Sequence, residues 1–226
     1  VQLVQALLST QNEVRSQAEK VFGACKQHQA DACVQRLVHV LKNSQQLELR
    51  GLCAVLLRKA LTSDADNKTW KSLTQPTQQG MKTELLTLIK DEQNKQTAKM
   101  VCDTVSDVGA MLLEEQQWPE LLPFMFQCVQ SGDDTLLERV LRIFAQLVVS
   151  IEMTLSPYLA TLHNVFGQSL QSQNVDIRNA ALRATCSFIS SLEKKSERDK
   201  FQDLVPSMLN CLGTALNQGD EATAQE

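Results

Sequence analysis

Residues 12–22 read NEVRSQAEKVF, and the fold follows from this stretch. Val14, Ala18, Val21 and Phe22 fall at i, i+4, i+7 and i+8, which is one face of an α-helix. Asn12 stands at the expected N-cap, with the apolar register opening two residues later. The pattern returns at 46–57 (QLELRGLCAVLL) and 174–185 (NVDIRNAALRAT). Two worn copies lie between, at 96–108 (QTAKMVCDTVSDV) and 133–144 (DDTLLERVLRIF). The position after the first apolar residue is Arg15, Arg50, Ala98, Leu137 and Arg178, at steps of 35, 48, 39 and 41 by residue number. These steps lie near the roughly 40–47 residue period of helical-pair repeats. The expectation is an all-α, right-handed α-solenoid of HEAT repeats, about five to six antiparallel helix pairs. Such a protein works through a surface rather than a pocket.

Composition agrees. Hydrophobic residues make up 43% of the 226, enough for a substantial core, while 8 Gly and 5 Pro without Val/Ile/Thr alternation argue against strands. A formal charge of −4 supplies no drive toward nucleic acid or an anionic membrane. The seven cysteines are an odd number without a CxxC pair. Cys53, Cys102, Cys128 and Cys186 sit in apolar helical registers, where a thiol behaves as a small hydrophobe. Reduced core cysteines are the expectation, which places the chain in cytosol or nucleus. No run of 18 apolar residues or signal peptide occurs, so a soluble chain is expected. Val1 is not a start methionine and 220–226 breaks off in a helical pattern, which reads as a fragment. A solenoid cut inside a repeat exposes an apolar flank, so modest stability or self-association is expected.

In order, the expected repeats cover approximately 1–28, 30–62, 75–115, 118–151, 157–194 and 197–226, as one solenoid. In 30–42, Cys33, Leu37, Val40 and Leu41 share a face; in 77–90, Met81, Leu85, Leu88 and Ile89 do so. Residues 62–71 read as a loop, polar except for Trp70, that accounts for the 48-residue step. Pro76 suits a first helical turn. Residues 151–156 read as a connector and 193–200 as a charged loop, and Pro206 is expected to bend a helix over 199–217.

His28, His39 and His163 lie far apart without HExxH spacing, which argues against a metal site. No phosphate-binding glycine loop or nucleophile elbow occurs. The acidic pairs Glu114–Glu115, Asp133–Asp134 and Asp64/Asp66 read as helix capping and solubility. Tyr158, Phe22, Phe124, Phe126, Phe144, Phe166 and Phe188 mostly fall in apolar registers and read as core. Arg15, Arg50 and Arg178 either form a ladder between neighbouring repeats or mark a partner site. Stacking favours the ladder, interrupted at Ala98 and Leu137. Nothing points to an enzyme or a cofactor.

Five segments in one order carry a resemblance: 12–22, LCAVLLRKAL at 52–61, MKTELLTLI at 81–89, MVCDTVSDVGAMLL at 100–113 and QWPELLPFMF at 117–126. Together they resemble the N-terminal HEAT-repeat region of the karyopherin-β nuclear transport receptors, closest to the importin beta-three (importin-five) type. Each motif alone is generic; the ordered set, with Trp118-Pro119-Glu120-Leu121 opening repeat four, is specific. Ala98 and Leu137 depart from the expected basic residue.

The resemblance implies a receptor that shuttles between cytoplasm and nucleus. It carries cargo with basic nuclear localisation signals past nucleoporins and releases it on binding Ran-GTP. No direct nucleic acid or membrane partner is implied. It also implies that B helices on a concave face hold Ran-GTP. The matching positions are Glu19 and Lys20; Gly51, Val55 and Arg58; Lys99, Asp103 and Asp107; and Arg142. Gly51 would admit a close backbone approach, Val55 an apolar contact, and Arg58, Asp103 and Asp107 complementary charge. The competing reading is a cytosolic HEAT scaffold or phosphatase regulatory subunit, from which the uneven repeat lengths point away.

Overall fold

The computed structural model describes residues 1–63 and 67–217, with side chains of 148–154 and 156 left aside. Among the described residues it contains helices and turns and no strand. The chain forms two compact units, Val1–Met111 and Leu112–Glu226. The first helix of each pair is its A helix and the second its B helix.

The first unit contains α1 (Gln2–Leu7) and α2 (Asn12–His28), α3 (Ala30–Asn43) and α4 (Leu47–Thr62), then α5 (Lys68–Ser72), α6 (Gln75–Asp91) and most of α7 (Lys95–Glu114). The faces read from periodicity are buried on α3 (Cys33, Leu37, Val40, Leu41) and on α6 (Met81, Leu85, Leu88, Ile89). Pro76 lies in the first turn of α6, where its missing N–H costs nothing. Residues 68–72 are not loop but the short helix α5, because Trp70 is buried and draws the backbone in. Asp64 and Asp66 lie outside the described residues.

The stretch that announced the fold is itself the least buried. Ala18 is buried, but Val14 and Val21 are 40% and 42% exposed. Helix α2 packs on α1 and α3, and neither covers that side. Asn12 is not the N-cap; Gln11 is, and the Asn12 carboxamide oxygen accepts from Arg15 Nη2 at 2.6 Å instead.

The second unit contains α8 (Leu121–Gln130) and α9 (Asp134–Leu155), α10 (Leu159–Leu170) and α11 (Val175–Ser191), α12 (Lys195–Arg198) and α13 (Val205–Asn217). Its most extensive packing is α9 on α11. The expected connector at 151–156 is instead the last turn of α9 and the start of a 3-10 turn, Ser156–Tyr158. No breaker precedes Pro157, so the helix runs on to it. The charged stretch includes the short helix α12. Pro206 does not bend a helix; it sits in the first turn of α13, entered through the 3-10 segment Asp199–Leu204.

Phe144, Phe166 and Phe188 are fully buried, Phe22, Phe124 and Phe126 are half-buried, and Tyr158 is exposed. Asp133 caps α9 as expected, accepting from the N–H of Thr135 at 2.8 Å and Leu136 at 3.1 Å. All seven thiols are free. Burial pushes Cys33 and Cys53 up to about 11, so both are protonated and unreactive at neutral pH.

Candidate functional site

The arginines at the repeated position do not form a ladder. Arg15 Nη1 donates to Ser9 O at 3.4 Å, Arg50 Nε to Leu41 O at 2.9 Å, and Arg178 Nη1 to Ser172 O at 2.8 Å. Each turns back to the carbonyl end of its own A helix, where helix geometry leaves C=O groups without partners. Where the arginine is missing, local caps hold the turn. Asn94 accepts from Thr97 N at 2.9 Å before α7, and Asp133 serves before α9.

Among the described residues, Arg50 alone of the three also crosses to the next pair. Its Nη2 meets Glu92, a fully buried carboxylate whose other oxygen accepts from Asn94 N at 2.7 Å. Sequence reading had no role for Glu92. The signal was the spacing, because Arg50–Glu92, Lys42–Glu84 and Gln35–Thr77 all lie 42 residues apart. Asp31 adds to this seam by accepting from Thr74 N and Oγ1, both at 3.0 Å. Hydrogen bonding from Thr77, with smaller contributions from Thr74, holds its carboxyl below the usual range.

The B helices α4 and α7 bring together three of the expected site residues. Arg58 lies between Asp103 and Asp107, with Nη1 4.0 Å from Asp103 Oδ2 and Nε 3.7 Å from Asp107 Oδ2. Lys99, Asp103 and Asp107 follow one another at four-residue spacing along one face of α7. Val55, half-buried, stands one turn before Arg58 on α4. Burial pushes the Asp107 carboxyl up, Arg58 pulls it part of the way back, and Asp103 pushes it up again. Beneath this cluster the two helices share a buried hydrogen bond, from Thr104 Oγ1 to Ala54 O at 3.2 Å.

The remaining candidates stand apart. Glu19 and Lys20 are exposed on α2. Arg142 is half-buried on α9, in the second unit. Gly51 is a correction, for it is buried. A Cβ there would lie 3.0 Å from Met100 Sδ, so the missing side chain admits the neighbouring B helix and not a partner.

On the A-helix side, α3 and α6 flank an open groove of about 450 Å³ floored by Val38 and Met81. The Lys42–Glu84 pair, at 2.6 Å, neutralises its charges internally. Among the described residues no group of His, Cys, Asp or Glu could hold a metal ion, and no helix is long and apolar enough to cross a membrane.

Stacked helix pairs tied at intervals of 40 to 43 residues define an all-α repeat protein of HEAT length. The family described as "IPO5-like, TPR repeats" matches residues 93–226. Over 226 residues the chain is 26% identical to a probable importin-5 homolog of Dictyostelium discoideum, covering 99% of this chain and 21% of that one. Over 243 residues it is 28% identical to importin subunit beta-3 of Saccharomyces cerevisiae, with the same coverage. The crystal structure of Kap121p matches at a TM-score of 0.76 and 23% identity, over 99% of this chain and 21% of that one. The structure of Kap121p bound to RanGTP matches at 0.72 and 24%, over 98% and 20%. The chain therefore spans about 21% of the length of the relatives it matches. It belongs to the karyopherin-β family, importin-5 type.

Proposed function

We propose that this chain is part of a nuclear import receptor and binds Ran-GTP on its B-helix face, coupling cargo release to nuclear entry. The observation that carries the reading is the seam between α4 and α7. There a half-buried valine adjoins a guanidinium and two carboxylates left partly in solvent. Such a mixture suits protein recognition, with the apolar contact excluding water and the charges fixing register. The similarity to Kap121p, whose structure is known bound to RanGTP, supports the choice of partner. Glu19, Lys20, Val55, Arg58, Lys99, Asp103, Asp107 and Arg142 are the proposed contacts, without Gly51. Kap121p is also known bound to Nup53p and to Pho4p, which supports nucleoporins and cargo with basic localisation signals as partners of the longer receptor. On this reading the chain shuttles between cytoplasm and nucleus, performs no catalysis and uses no cofactor. Calorimetric titration with Ran carrying a non-hydrolysable GTP analogue, beside Ran-GDP, tests it. Preference for the GTP form is expected; equal affinity for both forms sinks the reading.

A further inference from the structure

Helix α4 carries two arginines with opposite fates. Arg50 is consumed by the fold, donating to Leu41 O at 2.9 Å and meeting the buried Glu92. Arg58, two turns on, is held only by charge. Its contacts with Asp103 and Asp107, at 4.0 and 3.7 Å, are well beyond the roughly 2.7–2.9 Å of a charge-assisted hydrogen bond. Among the described residues its guanidinium donates no hydrogen bond within the chain. A guanidinium is built to grip a carboxylate with two parallel N–H bonds, and neither aspartate does so here.

The two aspartates are not equivalent. Asp103 has a further interaction besides Arg58. Asp107, with its side chain 47% exposed, has Arg58 as its one partner among the described residues. Its surroundings also disfavour its charge, because burial and Asp103 together outweigh the pull of Arg58. An aspartate in that position adds little to the fold and has room to swing into water.

We infer that Asp107 is a placeholder: it keeps Arg58 oriented in the free protein and gives way when a carboxylate of the bound partner takes the guanidinium. This rests on the Ran-GTP reading above, changes the role of Asp107 there from a contact to the residue that yields Arg58 to the partner, and adds the chemistry that the partner presents at this point, an acidic side chain beside an apolar one facing Val55. The Asp107–Arg58 contact is then a mild intramolecular competitor of binding.

Calorimetric titration of this chain with the same Ran–GTP-analogue complex separates the possibilities. Wild type, Arg58→Gln, Asp107→Asn and the double variant are compared, each checked for wild-type helicity and unfolding midpoint. Removing a charge-assisted contact in Arg58→Gln is expected to weaken binding on the order of tenfold. Releasing a half-exposed competing pair in Asp107→Asn is expected to tighten it about two- to fivefold. The double variant should match Arg58→Gln. The opposite signs are diagnostic, since a purely structural clasp is broken equally by either change and both would shift affinity the same way. Weaker binding by Asp107→Asn would mean that a partner's cation reads the carboxylate, and would overturn the inference. Unchanged binding in that variant overturns it too. Both of these leave the Ran-GTP reading standing, whereas a wild-type chain without affinity for the complex overturns the two together.

Discussion

The two units build one kind of helix pair with different chemistry at the seams. In Val1–Met111, neighbouring pairs are joined by polar groups: Lys42 to Glu84 at 2.6 Å, Arg50 to Glu92, and Asp31 to Thr74. In Leu112–Glu226 rings join neighbouring pairs, at Phe126–Tyr158 and Phe188–Phe201, and also pack within pairs, at Phe126–Phe144 and Phe166–Phe188. Phe126 lies 5.9 Å from Phe144 and 5.0 Å from Tyr158, while Phe188 lies 5.7 Å from Phe166 and 5.4 Å from Phe201. Every ring pair among the described residues is in the second unit. A helix pair needs only an apolar stripe to stack, so what fills the rest of the seam is free to vary. Aromatic seams convert surface into core. Charged seams leave part of their charge in solvent, and that is where the candidate contacts collect.

This difference can be broken from either side. The largest effect is expected for Phe188→Ala, which removes a fully buried ring touching two others. It should cost about 3–5 kcal/mol in urea unfolding, with protection from hydrogen exchange lost first in α10 and α11. Next comes Glu92→Gln, which leaves Arg50 facing a neutral amide in a buried position. About 1–3 kcal/mol is expected, and a loss as large as that of Phe188→Ala would erase the contrast between the seams. Lys42→Met removes a pair exposed by more than a third on both sides. No more than about 1 kcal/mol should be lost, and less at high salt.

The smallest effect belongs to a charged tie that crosses a seam of rings. His163 Nε2 lies 2.8 Å from Asp203 Oδ1, with the imidazole 5.4 Å from Phe201. The hydrogen bond from His163 holds the Asp203 carboxyl below its ordinary 3.8. A carboxyl lowered on folding contributes stability that is complete above the ordinary value and fades as pH falls through the lowered one. Acid unfolding of Asp203→Asn should therefore depend less on pH than that of wild type below about pH 4, with the two converging at the acid end.

Much of the scaffold was legible because burial follows helical period. The faces of α3 and α6 and the cap at Asp133 need only local rules. Legibility failed where two distant segments meet. Trp70 reads as an odd apolar residue in a polar loop until it is seen buried on the short helix α5. Gly51 reads as an opening for a partner until Met100 is found against it. Phe201, fully buried between Phe188 and His163, falls in a segment whose 3-10 turns break the 3.6-residue pattern.

By itself the sequence determined that this protein is a stack of helix pairs, and which stripe of most helices turns inward. Both depend on spacing along one chain, at 3.6 residues within a helix and near 40 between pairs. Tertiary structure alone decided what each charge at the seams does. Arg50 and Arg58 stand eight residues apart on one helix, alike in chemistry and both turned toward carboxylates of the next pair. One meets a buried carboxylate and becomes part of the fold; the other meets two half-exposed ones and stays available. The strength of an ion pair depends on distance and surrounding dielectric, and both are set by a neighbouring repeat some 40 residues away.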